Sequence, residues 1–163
     1  MPKISAGLLM FRYRNDHLEF FLVHPGGPFF RKKDDGSWTI PKGEPNPSED
    51  LLTAAQREFF EETGVLPVAP FLALTPIKQS GGKTVHAWAF AGDCDPAAIR
   101  SNVFSIEWPP RSGKQQEFPE IDRADFFTAD AARCKINAQR ASFIDELTKL
   151  LSRKEPLRHS NVK

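Results

Sequence analysis

Apolar and polar positions fall into blocks along the chain, and each block predicts an element. Residues 4 to 12 (ISAGLLMFR) and 18 to 24 (LEFFLVH) are two β-rich runs split by the polar RNDH, the pattern of a hairpin or meander. PGGPFFRKKDDGSW follows, and its three Gly, two Pro and mixed charges exclude a regular element. WTIPKGEPNP carries this loop into a helix, where Asn46 suits the N-cap, Pro47 the first helical position and Glu49 the return partner of a capping box. Gly64 fits the left-handed residue that ends it, so the helix is expected to start near Pro47 and run about 17 residues, roughly 25 Å. VLPVAPFLALTPIKQ and KTVHAWAFAGD then read as two strands joined by the tight turn SGG, and FSIEW as a further short strand. PPRSGKQQEFPEIDRA is polar and punctuated by proline, the composition of a long functional loop, and Phe126 and Phe127 mark an aromatic strand after it. Ile136, Arg140, Phe143, Leu147, Leu150 and Leu151 recur at helical spacing and predict an amphipathic C-terminal helix. Residues 153 to 163 lack a core-facing pattern and are expected to form a flexible tail.

Composition narrows the function classes. A chain of 163 residues, 40% hydrophobic, buries roughly two-thirds of its unfolded surface, so residues 1 to 152 are expected to form one domain. Lys and Arg number 22 against 21 Asp and Glu, a net charge of +1, which argues against a stable nucleic-acid partner and against a membrane-surface role. Charge logic in this chain is therefore local. Cys94 and Cys134 stand far apart with no metal-site spacing, which fits two reduced thiols better than a disulfide or a zinc site. The apolar run in MPKISAGLLMF is too short for a signal peptide, and no stretch approaches the ~18 apolar residues of a spanning helix. The expectation is a soluble cytoplasmic protein, monomer or homodimer.

The local charge is concentrated in REFFEETG. At about 100° per residue, Glu58, Glu61 and Glu62 occupy one third of the helix circumference, beside an apolar stripe of Leu52, Ala55 and Phe59. Like charges three and four residues apart cost a few tenths of a kcal/mol each, and a helix C-terminus disfavours anions further. Arg57, four residues before Glu61, offsets one carboxylate but not three. A solvated acidic face is the bland reading. A hard divalent cation, which prefers several carboxylate oxygens, is the functional one.

Spacing separates the two. From Gly43 the chain reads GEPNPSEDLLTAAQREFFEETGV, with Glu49, Arg57, Glu58, apolar Phe59, Glu61, Glu62, Gly64 and apolar Val65 at the defined positions of the Nudix box. The chain thus resembles the Nudix hydrolase family. The resemblance implies an α/β fold, an α/β/α sandwich around a mixed β-sheet, and hydrolysis of a nucleoside diphosphate linked to another moiety with Mg²⁺ or Mn²⁺. By position it implies Glu58, Glu61 and Glu62 as metal ligands, with the Gly43 carbonyl as a further ligand. It also implies that Arg57 orients Glu61 or its neighbour, and that Glu49 supports the helix start or the metal shell.

Other residues carry weaker signals. Lys42, next to Gly43, and Arg31 in the RKK run are candidate phosphate contacts, the latter equally a solvated cation. Lys83, after the SGG turn, is a third. Trp38 and Phe30 can stack on a base, although a Trp opening TIP also suits the core. His24 and His86 lack metal-ligand spacing and are expected to be structural. The family often takes a further carboxylate from a loop beyond the box, as base or metal ligand; Glu120 is the first choice and Glu117 the second. KTVHAWAF, SAGLLMFR and WTIPKGE resemble the branch that splits diadenosine tetraphosphate. The tyrosine that some of those enzymes place after the box is absent, and so is the proline of many ADP-ribose enzymes, since residues 79 to 82 read QSGG. A dinucleoside polyphosphate or an NTP is therefore preferred over a nucleotide sugar or ADP-ribose. A non-catalytic nucleotide-binding module is the reading from another class; such modules usually lose box glutamates, and here all remain.

Overall fold

The computed structural model describes residues 3–162, with side chains through residue 152. Strands β1 (Ile4–Arg14) and β2 (His17–Pro25) form the expected hairpin, turned by Asn15 and Asp16 at φ 52° and 65°. Positive φ at both central residues is the two-residue turn whose twist matches the strands, and Asn and Asp tolerate it. β1 pairs with β2 only over its second half, from Phe11 to Arg14. Its first half pairs instead with β3 (Lys42–Gly43), through Ala6 and Gly7, while Thr39 bridges to Val23 on β2. Residues 39–43 thus wedge into the fork where β1 and β2 diverge. Gly7 permits the wedge, because a Cβ there would overlap the Pro41 carbonyl and the Lys42 Cβ.

β6 (Thr84–Ala91) runs parallel to β1 along its length, and β4 (Leu72–Ala73) and β5 (Ile77–Lys78) add antiparallel to β6. With β9 (Ile121–Thr128) antiparallel to β2, the result is a seven-stranded mixed sheet. Helix α1 (Leu51–Thr63) covers one face, where Phe59 stacks against Phe21 and Phe90 at centroid distances of 6.0 and 5.2 Å. Helices α2 (Ala129–Lys135) and α3 (Ala141–Val162) cover the other over Trp38, Ile136, Phe143 and Leu147. This is the expected α/β/α sandwich. Burying each such side chain contributes about 1.5–3 kcal/mol, so the two apolar layers dominate the stability.

Several element boundaries differ from expectation, each for a local reason. α1 begins at Leu51 rather than near Pro47, because Ser48 takes φ 68° and Asp50 becomes the N-cap, accepting from the Thr53 N–H at 3.1 Å. The capping-box contact still forms one turn early: Glu49 accepts from the Asn46 N–H at 2.8 Å. Gly64 ends the helix as expected, at φ 78°, donating its N–H to the Phe60 carbonyl. Residues 66–78 yield only two two-residue strands, since Pro67, Pro70 and Pro76 each remove a ladder donor. The expected long loop is mostly strand: β7 (Val103–Glu107) and β8 (Gln115–Pro119) form a separate hairpin, and β9 starts at Ile121. The C-terminal helix does not start at Ile136, whose ψ of 148° is extended; α2 precedes it and a short 3-10 turn, Ala138–Arg140, follows. The tail expected over 153–163 lies outside the residues whose side chains are described. Cys94 and Cys134 are both free thiols. No helix among the described residues is long and apolar enough to cross a membrane.

Candidate active site

The fork of β1 and the solvent-facing side of α1 meet at Gly43. A Cβ at this position would overlap the Glu58 carboxylate, so glycine is what lets β3 approach the helix. Arg57 organises the acidic face. Its guanidinium grips Glu49 with two hydrogen bonds of 3.0 Å, reaches Glu58 at 2.9 Å and Glu61 at 3.2 Å, and donates to the Glu44 carbonyl. These bonds, converging on one planar cation, fix the loop before α1 to the helix itself. Arg57 holds the Glu49 carboxyl below the usual range, aided by the Asn46 N–H.

Glu58, Glu62 and Glu120 are raised. Burial pushes Glu58 up, against the pull of Arg57. Glu62, 7% exposed, is pushed up to about 8, first by burial and then by the charge of Glu58. Glu120 joins them from far along the chain, raised by burial and by the charges of Glu58 and Glu61. Backbone bonds explain its placement. The Asn102 N–H donates to the Glu61 carbonyl at the end of α1, and the Glu120 N–H donates to the Asn102 carbonyl at 2.8 Å. Gly26 locks the other side by donating to the Glu120 carbonyl. Glu117 is not brought in: it sits on exposed β8, opposite Ser105.

Lys42 faces this acidic group from the fork. Burial and the charges of Arg140 and Lys83 push its ammonium down to about 8, while Glu62 and Glu58 oppose them. A cationic side of Lys42, Lys83 and Arg140 therefore abuts an acidic side of Glu58, Glu61, Glu62 and Glu120. Trp38 and Arg31 lie elsewhere. Trp38 is 4% exposed, donates to Asp34 at 2.8 Å and packs on Phe127 and His24, so it is a core residue. Arg31 is exposed on the 26–37 loop. His24 is a buried tie between Asp122 and the Lys33 carbonyl, 2.7 Å from each. A cavity of about 460 Å³ opens beside Trp38, but no box residue lines it.

The sequence profile of the NUDIX domain matches residues 1–147, nine-tenths of the chain. The chain belongs to the Nudix family. The enzyme class expected from the sequence, a pyrophosphohydrolase, agrees with that membership. Among solved structures, a Caenorhabditis elegans Ap4A hydrolase aligns at TM-score 0.64 and 21% identity, covering 92% of this chain and 98% of that one. The NUDIX domain of Shewanella oneidensis NrtR, solved with ADP ribose, aligns at 0.65 and 16% over 93% and 89%. A MutT protein from Methanosarcina mazei aligns at 0.60 and 19% over 90% and 93%.

The carboxylates that the Nudix box gathers do not stand in a ligating arrangement. Among the described residues no three carboxylates converge closely enough to hold one ion, because Arg57 draws Glu58 and Glu61 toward itself. The donor chemistry nonetheless fits a hard cation: Glu58, Glu62 and Glu120 are each raised by burial and by neighbouring carboxylate charge, and no ammonium or guanidinium forms an ion pair with Glu62 or Glu120 among the described residues. Three residues of this site carry no motif signal: Asn102, Gln79 and Arg140. The 3.6-residue period places Arg140 on the core-facing stripe of a helix, and only the extended Ile136 and Asn137 put it at the fork.

Proposed function

We propose that this Nudix protein is a divalent-cation-dependent hydrolase of a nucleoside polyphosphate, either a dinucleoside polyphosphate or an NTP. The observation that carries the reading is the arrival of Glu120 beside the three box glutamates, opposite the cationic wall at Lys42. Glu58, Glu61, Glu62 and the Gly43 carbonyl would hold magnesium or manganese. When bound, such a cation neutralises phosphate oxygens and acidifies water. The chain's own groups do the rest. Glu120, whose raised proton affinity makes it the better base, takes the proton of the attacking water. The water oxygen bonds to phosphorus as the bridging P–O bond breaks, and the leaving phosphate keeps the electron pair. Lys42 donates to the phosphate chain, and Arg57 holds the loop and helix in register without touching substrate. Incubation with a nucleotide panel and Mg²⁺ or Mn²⁺, with both products identified by mass, should show cleavage of a phosphoanhydride in a polyphosphate. Turnover persisting in excess EDTA would sink the proposal. Preferential cleavage of ADP-ribose, the ligand of the NrtR domain, would replace it with the competing reading.

A further inference from the structure

Arg140 carries hydrogen-bond donors that the surrounding protein does not match. It closes the 3-10 turn that precedes α3, with its N–H bonded to the Asn137 carbonyl at 2.8 Å. Its Nε is buried and has no hydrogen-bond partner, and its one side-chain hydrogen bond among the described residues is long, 3.4 Å, from Nη2 to Gln79 Oε1. No carboxylate lies within ion-pair distance of it among the described residues, where the other partly buried guanidiniums, Arg12 and Arg57, each hold two or more. Buried guanidinium groups are ordinarily paired, because an unmatched donor loses its water and gains nothing.

Its surroundings add cations instead of anions. Arg140 and Lys83 are near enough to Lys42 to depress its ammonium. The position is held firmly: Gln139 Nε2 donates to Ser80 Oγ at 2.9 Å, and Gln79, itself buried, closes the β5–β6 turn onto the Lys83 carbonyl at 2.7 Å. The turn carrying Lys83 and the turn carrying Arg140 are therefore latched together, fixing two cations and an amide near Lys42.

We propose that Arg140, with Gln79 and Lys83, forms an anion subsite for the part of a phosphate chain that extends beyond Lys42, so that the enzyme selects substrates by phosphate number. This rests on the nucleoside polyphosphate reading above. A planar guanidinium can offer two N–H groups to the oxygens of one phosphoryl group, and the neighbouring ammonium balances the second charge. A substrate with three or more consecutive phosphoryl groups reaches both Lys42 and Arg140. A diphosphate spanned between the carboxylates and Lys42 does not.

The subsite is tested without turnover. Calorimetric titration of the metal-free protein in EDTA with inorganic tripolyphosphate should show binding that Arg140→Gln weakens at least tenfold, Arg140→Lys about threefold, and Arg31→Gln, on the exposed 26–37 loop, not at all. In kinetics, Arg140→Gln should raise KM at least tenfold for a tetraphosphate dinucleotide and less than twofold for ADP-ribose. An unchanged tripolyphosphate affinity in folded Arg140→Gln overturns the subsite, even if hydrolysis stands. If that variant does not fold, Lys83→Gln carries the same titration, and a loss under twofold there overturns it. Failure to hydrolyse any polyphosphate, with the tenfold binding loss intact, overturns the substrate reading and leaves the anion subsite in place.

Discussion

Replacing Glu62 with Gln tests whether the acidic face is an unfavourable arrangement maintained for a ligand. Glu62 is 7% exposed, and burial plus the charge of Glu58 push its carboxyl from an ordinary 4.5 to about 8. In the metal-free protein the folded state therefore keeps this proton through neutrality, while the unfolded chain has released it. Stability then falls as pH rises between the two values, by about 1.4 kcal/mol per pH unit at full difference. From pH 5.5 to 7.5 the wild type should lose about 2 kcal/mol that Glu62→Gln, an isostere of the protonated acid, retains. The window stops below the depressed Lys42, whose titration contributes the opposite slope. Urea unfolding of both proteins in EDTA at four pH values gives the difference directly, provided m stays constant. The variant should be nearly as stable as wild type at pH 5.5 and clearly more stable at 7.5, yet slower in turnover by orders of magnitude with Mg²⁺. Added Mg²⁺ should flatten the wild-type slope, because a cation replaces the proton. Two parallel stability curves would refute the reasoning, since they would mean that Glu62 ionises normally in the folded protein.

Glu120→Gln should lower kcat at least tenfold with KM within a few-fold, and Glu117→Gln should do less; steady-state kinetics at saturating Mg²⁺ decide it, and a larger loss at Glu117 would reverse the assignment. Arg57→Ala should cost about 1–3 kcal/mol in urea unfolding, because the carboxylates it holds are only partly solvated, and Arg57→Lys should recover less than half of that for want of the fork. Gly43→Ala should lower kcat at least tenfold, because the new methyl would occupy the place of the Glu58 carboxylate; a crystal structure of the variant with Glu58 unmoved and kinetics unchanged would count against it.

The parts of this fold set by local chemistry were readable in the sequence. Asn15 and Asp16 specify their turn, Gly64 its helix end, and the alternation along β1 and β2 their shared sheet. The box glutamates were readable because a helix converts spacing directly into a face. Glu120 was reachable only by resemblance, since its position depends on Asn102 bridging two distant backbones. Ser48 was missed because positive φ in a serine is uncommon, and it moves the cap to Asp50. Trp38 was ambiguous because a Trp beside a loop suits both a base and a core, and burial decides between them. Arg140 was misread for a specific reason: its spacing to Phe143 and Leu147 continues a helical period that the backbone does not follow. The run INAQR did hold a clue. Asn137 is a good cap residue, its side chain accepts from the Gln139 N–H, and a cap there implies a helix starting after it.

The fork in β1 explains why opposite charges can be kept apart here. Residues 39–43 enter between β1 and β2, so Lys42 and Gly43 reach the sheet's open end with α1 on one face and the start of α3 on the other. Carboxylates arrive from α1 and from the β8–β9 junction, cations from the β5–β6 turn and the turn before α3, and Lys42 lies within electrostatic reach of both groups. Neutralising the two sides directly would need side chains long enough to cross the fork, and the ion pairs that form stay on the helix side around Arg57. Each side is therefore left with charge that the fold does not satisfy. A cation alone relieves the first side and an anion alone the second. A phosphate chain carrying its own divalent cation relieves both at once, which is why the polyphosphate reading accounts for Glu62 and Arg140 together while a purely structural role accounts for neither.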